Sequence, residues 1–180
     1  MNRPSPLSLM TLMLLSLAVG CGSSPNAGCM APIAIENQNL GDLAPDFTLF
    51  PVVEKEPPVV LSQEYAKGPV LVVFWATWCP SCVEEIPILN EWYDKYTPQG
   101  LQMIAVNVAE PRDRVRDFQK DNPMKYPVVL DLEGEVANQF GIVGLPVAVL
   151  LAKGGKIIYY GFALPENIEE LLANQRSLTP

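Results

Sequence analysis

From about residue 46 onward, apolar runs bounded by turn-forming residues alternate between the periods of strand and helix. Asp46–Phe50 and Pro58–Leu61 read as short strands, separated by the turn-prone stretch 51–57. Val70–Trp75 is continuously apolar, the pattern of a strand covered on both faces. The period then changes. Cys82, Ile86, Leu89, Tyr93 and Tyr96 recur at spacings of four and three, which predicts a helix over 80–96 with one apolar face, closed by Gly100. Leu101–Val108 predicts the next strand, and the charged stretch Arg112–Asp121 a surface helix carrying only Val115 and Phe118 inward. A short strand over 127–130 and a short helix over 133–140, ended by Gly141, come next. Val147–Leu151 and Lys156–Tyr160 flank Lys153-Gly154-Gly155 as a hairpin, and Pro165 opens a last amphipathic helix with Ile168, Leu171 and Leu172. Strand–helix–strand units followed by a hairpin and a helix predict an α/β fold with a mixed central sheet flanked by helices.

The first forty residues follow another logic. Arg3 precedes Leu7–Val19, an uncharged and mostly apolar run. A membrane-spanning helix needs about 20 apolar residues, so this run has the length of a secretory signal core instead. It ends Leu17-Ala18-Val19-Gly20-Cys21, which resembles a bacterial lipoprotein signal whose cysteine is lipidated, with Ala18 where leucine is more usual. Ordinary secretion, leaving Cys21 a plain thiol, is the alternative. Residues 1–20 are thus expected to be a signal peptide, 21–40 a flexible tether rich in Gly, Ser, Pro and Asn, and 41–176 the folded domain. Both routes place the protein outside the cytoplasm, anchored on the periplasmic side in the lipidated case, where disulfides persist. Cys29 lies in the tether and has nothing around it to form a catalytic pocket.

Composition narrows the chemistry. At 180 residues and 49% apolar content, the chain can bury one sizeable core. Twenty acidic residues against twelve basic ones give a net charge of −8, which argues against a nucleic-acid partner. There is no histidine. That removes Ser-His-Asp and Cys-His catalysis, the usual zinc-hydrolase sites and covalent haem attachment, and leaves cysteine or carboxylate to act.

Trp78-Cys79-Pro80-Ser81-Cys82 falls where the buried strand ends and the long helix begins. The first turn of a helix offers unpaired N–H groups and the positive end of the dipole, both of which stabilise a thiolate. Cys79 at the helix entry is expected to be exposed enough to attack a disulfide, with Cys82 one turn further in to resolve the product. A zinc site would need two further ligands that the chain does not place nearby, so no metal is expected. An inert structural disulfide is the other alternative.

Phe74-Trp75-Ala76-Thr77-Trp78-Cys79-Pro80-Ser81-Cys82 resembles the active-site segment of thioredoxin-like proteins, specifically the extracytoplasmic TlpA/ResA-like branch. Gly41–Leu49 resembles that branch's amino-terminal strand extension, and Gly144-Leu145-Pro146 the loop whose proline is cis and faces the cysteines. The similarity spans about 41–176. It implies a thioredoxin fold and a membrane-tethered thiol–disulfide oxidoreductase that needs no dissociable cofactor. Its partners would be protein disulfides, such as those of apocytochrome c, and a membrane thiol electron donor. Trp78, Leu145 and Pro146 would line the docking surface. Val73 stands where thioredoxin has a buried aspartate, so that proton route is missing. Glu85, three residues after Cys82, matches a functional glutamate of family reductases and lies on the same side of the helix as Cys82. Leu145 replaces a common threonine.

Other readings are a thiol oxidase or isomerase of the same fold, a peroxiredoxin, or a copper-binding lipoprotein. A peroxiredoxin needs Thr or Ser where Ala76 stands, and a copper carrier a histidine.

Overall fold

The computed structural model describes residues 40–176, so the signal and tether expectations, Cys21 and Cys29 lie outside the described residues. Seven strands form one mixed sheet, β1 (Thr48–Pro51), β2 (Val59–Val60), β3 (Val70–Trp75), β4 (Gln102–Val108), β5 (Val128–Asp131), β6 (Val147–Leu151) and β7 (Ile157–Gly161), in the order β2-β1-β5-β4-β3-β6-β7. The parallel pairs are β3 with β4 and β4 with β5. The hairpin β6–β7 runs antiparallel along the other side of β3, and β1 pairs antiparallel with β5. Among the described residues five α-helices flank the sheet, α1 (Leu61–Lys67), α2 (Pro80–Tyr96), α3 (Arg112–Asp121), α4 (Glu135–Gln139) and α5 (Ile168–Arg176). This is the mixed sheet with flanking helices that the hydrophobic pattern predicts.

Strand β3 is buried along its whole length, as its unbroken apolar run requires. Its side chains alternate between two cores. Leu71, Val73 and Trp75 join Cys79, Cys82, Leu89 and Tyr96 of the α2 face, with Val115 of α3 and Ile168 and Leu172 of α5. Val70, Val72 and Phe74 join Leu61 of α1 and Val136, Ala137 and Phe140 at α4. The Phe74 and Phe140 rings lie 5.1 Å apart, a favourable tilted pair.

The amino-terminal segment crosses the second core. Gly41 N–H donates to Ile157 O and Ala44 N–H to Gly155 O beside the hairpin, whereas β1 joins the sheet beyond β5. Ala44 and Phe47 are buried on the way. Pro51 is tolerated within β1 because β2 pairs only with Thr48 and Leu49, leaving no donor required on its outer side.

Helix α1 is absent from the sequence reading, which ends that segment as a strand at Leu61. The helix has seven residues, a single buried one and no side-chain cap at Val60. Its N-terminus is satisfied from a distance: the Asp46 carboxylate accepts from Ser62 N–H at 2.8 Å and from Phe47 N–H at 3.0 Å. The last helix begins at Ile168 rather than at Pro165, and α4 spans 135–139 rather than 133–140. The predicted hairpin turn is present, with φ of 93° at Gly154 and 87° at Gly155, a conformation that glycine adopts without a Cβ penalty.

Candidate active site

The site forms where β3 hands over to α2. Trp75 ends the strand, and the chain turns through Ala76, Thr77 and Trp78, closed by Cys79 N–H donating to Ala76 O at 3.2 Å. Cys79 is the N-cap of α2, with extended backbone, and Pro80 occupies the first helical position, where its missing N–H costs nothing. The Cys79 Sγ takes the role usually played by a capping oxygen and accepts from Cys82 N–H at 3.3 Å. The Ser81 Oγ lies 3.6 Å from the same sulfur. No acidic residue stands in the first turn of α2. A thiolate at Cys79 therefore meets two donors and the positive end of the helix, the arrangement that lowers a thiol pKa.

Cys79 and Cys82 are joined as a disulfide with their Cα atoms 5.3 Å apart. The spacing thus brings the two together as expected, but exposure corrects the reading. Both cysteines are only 3% exposed, so Cys79 is no more open than Cys82 in the oxidised form. What is open is Trp78, 65% exposed immediately before Cys79. Val73 sits in the same apolar core as the disulfide, so no carboxylate replaces the aspartate at that strand position.

Leu145-Pro146 is a cis peptide bond at the start of β6. Phe74 pairs with Val147, the first residue of β6, so the Leu145-Pro146 bond stands just beyond the end of the β3–β6 ladder, at the end of β3 from which the turn to Cys79 departs. Pro146 is buried and Leu145 half-buried at the rim of the core that holds the cysteines. Two neighbours escape sequence reasoning. Val143 is 77% exposed, and Phe162, 59% exposed, lies against the same loop: a Cβ at Gly144 would stand 3.7 Å from its ring. Large exposed apolar groups at the loop that carries the cis-proline indicate a contact surface.

Glu85 lies in the second turn of α2, half-buried, where its carboxylate accepts from Leu164 N–H. Burial holds its pKa above the ordinary value of 4.5, and the Leu164 bond only partly offsets this. Its negative charge in turn helps raise Tyr126 and Tyr159, though burial is the larger cause for both. The Tyr126 hydroxyl is buried and has no partner among the described residues. Tyr159 donates to Ala163 O at 2.8 Å, so Glu85 and Tyr159 bind adjacent residues of the loop after β7. Between pH 4.5 and the raised folded value, the folded protein keeps a proton that the unfolded chain has released. Stability must then fall as pH rises through that window. Urea midpoints taken across it are expected to fall in the wild type relative to Glu85→Gln, which has no such proton to lose.

A seven-stranded mixed sheet carrying a Cys-Pro-Ser-Cys pair at a helix N-terminus, opposite a cis-proline loop, defines a thioredoxin-fold thiol–disulfide oxidoreductase. The chain belongs to the Redoxin family, whose model matches residues 39–171. It is 35% identical over 147 residues to thiol-disulfide oxidoreductase ResA of Bacillus thuringiensis subsp. konkukian, covering 81% of this chain and 82% of that one. With the ResA of Geobacillus thermodenitrificans it shares 32% over 177 residues, 96% of this chain and 97% of the relative. Among solved structures it resembles a Chlorobium tepidum protein assigned as a thiol:disulfide interchange protein DsbE. The TM-score there is 0.67, with 29% identity over 78% of this chain and 97% of that one. The chain is accordingly a thiol–disulfide oxidoreductase.

Proposed function

We propose that the enzyme works outside the cytoplasm of a bacterium, lipid-anchored through Cys21, and donates electrons to disulfides of exported proteins. The cysteine pairs of apocytochrome c are the substrate class that its resemblance to the extracytoplasmic reductases favours. Cys79 is the nucleophile. Its thiolate attacks one sulfur of the substrate disulfide, forms a mixed disulfide and expels the other substrate sulfur, which takes up a proton. Cys82 then loses its proton and attacks the Cys79 sulfur, releasing the second substrate thiol. The enzyme ends as the Cys79–Cys82 disulfide, two electrons poorer, and a membrane thiol donor restores it.

The observation that carries this reading is the pair at the N-terminus of α2, with the exposed Trp78 and the Leu145-Pro146 loop beside it. A substrate strand would lie along the backbone of Leu145, with Trp78 and Pro146 flanking it. Electron donation rather than oxidation is favoured by Val83, Glu84 and Glu85, which follow the pair without a cation. Nearby negative charge disfavours a thiolate and makes the dithiol a better donor. Glu85, when ionised, would be the main contributor.

The test uses the reduced enzyme and an oxidised peptide bearing Cys-x-x-Cys-His, the covalent haem-attachment pattern. The peptide is expected to appear as a dithiol while the enzyme becomes a disulfide. A peptide that stays oxidised would overturn the substrate assignment. Mass spectrometry of the mature protein is expected to find a triacylated Cys21 at its amino terminus, since several acyl chains are needed for stable anchoring. An unmodified terminus would overturn the anchor.

A further inference from the structure

We infer that Glu110 is a positioning residue for the redox turn, acting through Thr77 to set where the Cys79 sulfur lies. Glu110 follows β4, is 4% exposed, and spends both carboxylate oxygens on groups near the disulfide. Oε2 accepts from Thr77 N–H at 2.7 Å and from Asn107 Nδ2 at 2.8 Å. Oε1 accepts from the Thr77 hydroxyl at 2.6 Å. Arg114, one turn into α3, reaches Oε1 only at 3.8 Å and is itself largely exposed. The carboxylate is thus directed at a turn of the chain rather than at a cation.

That turn matters because Thr77 lies two residues before Cys79 and belongs to the four-residue loop closed by Cys79 N–H on Ala76 O. Two of the three bonds to Glu110 fall on Thr77, one on its backbone and one on its side chain, which fixes both the plane of its peptide and its orientation. With the far end of the loop held by β3, the position of the Cys79 sulfur relative to Cys82 N–H follows from this clamp. Reactions between positioned groups lose rate steeply when a reacting atom moves by an ångström. A side chain buried and spent in this way, beside a loop that ends in the reactive cysteine, is a device for pre-organisation rather than for core stability alone. The inference rests on Cys79 being the nucleophile.

The hydrogen bonds also predict which substitutions are tolerated. In Glu110→Gln the amide oxygen can occupy the place of Oε2 and accept from Thr77 N–H and Asn107. Its NH2 group can then donate to the Thr77 hydroxyl, which is able to accept. Geometry is kept while the charge is lost. Glu110→Ala loses all three bonds. Thr77→Val loses only the hydroxyl bond, at a half-exposed position where folding is not at risk.

The experiment follows the reaction of the reduced protein, carrying Cys21→Ser and Cys29→Ser throughout so that only the active-site pair reacts, with the small aryl disulfide dithionitrobenzoate, as rate against pH, alongside thermal denaturation. Glu110→Ala and Thr77→Val are expected to react about tenfold more slowly than wild type. The midpoints of their pH profiles should move upward as the Cys82 N–H bond to the Cys79 thiolate weakens. Glu110→Gln is expected to recover the wild-type rate and midpoint, an outcome that neither a charge effect nor simple loss of stability would give. If Glu110→Ala does not fold, Thr77→Val decides alone. A Thr77→Val profile identical to wild type, or a Glu110→Gln protein as slow as Thr77→Val, overturns the proposal. Cys79→Ala is run in parallel. If it still reacts at the wild-type rate, the nucleophile assignment has failed and the clamp with it; if only the slow reaction of the Cys82 thiol is left, the other arms judge the clamp alone.

Discussion

Cys79→Ala is expected to abolish disulfide exchange, by on the order of a thousandfold or more, whereas Cys82→Ala is expected to accumulate a covalent enzyme–substrate adduct. The asymmetry follows from position. Cys79 caps α2, and its sulfur accepts from Cys82 N–H with the Ser81 hydroxyl within reach, so the thiolate that attacks is the one the helix stabilises. Removing a nucleophile takes away the step itself, and losses of this kind are the largest single-residue effects in catalysis. Removing Cys82 leaves the first attack intact but eliminates the thiol that would release the product. Non-reducing electrophoresis after mixing with a protein disulfide reads both outcomes. Equal trapping by the two variants, or trapping through Cys29 alone, would contradict the division of labour.

The second large effect is on stability. Gly68 joins α1 to β3 with an extended backbone of φ −174°, a conformation open to any residue. The restriction is one of space. A Cβ at Gly68 would stand 2.3 Å from the Gly100 carbonyl oxygen and 3.4 Å from its carbon. A backbone carbonyl held in the turn before β4 cannot rotate aside as a side chain does. Gly68→Ala therefore forces two segments of the sheet apart, at a cost of about 3 kcal/mol, the upper end for over-packing. For a domain of this size that is a fall of about 10 °C in Tm. Thermal denaturation measures it, and a Tm within a degree or two of wild type would refute the close approach.

Most of the sheet is legible in the sequence because its signals are local. The apolar run of β3, the four-and-three spacing of α2 and the double glycine of the hairpin each carry their own period or turn chemistry. Helix α1 is not legible because its capping group, Asp46, stands sixteen residues upstream, beyond any local window. The motif likewise locates the cysteines but not their exposure. Burial of Cys79 depends on packing against the α2 face core, and the exposed Val143 and Phe162 come from loops that only the folded sheet brings near. Glu110 is the clearest omission. In the sequence, Asn107 and Glu110 are two ordinary polar residues at the end of an apolar strand. Only register and the turn after β4, with Ala109 at a φ of 55°, direct both toward the active-site loop. Glu85 was visible as a helix-face neighbour of Cys82, but its Leu164 contact crosses from α2 to a loop some eighty residues away.

The direction of electron flow is the central claim, and the reduction potential of the Cys79–Cys82 pair tests it most directly. Equilibration with a dithiothreitol or glutathione redox buffer, read by alkylation and mass spectrometry, gives the value. The potential is expected in the reducing range, at about −270 mV like that of thioredoxin, and shifted upward in Glu85→Gln. A potential near about −120 mV, that of a strong disulfide-forming oxidant, would contradict it and make the protein a thiol oxidase.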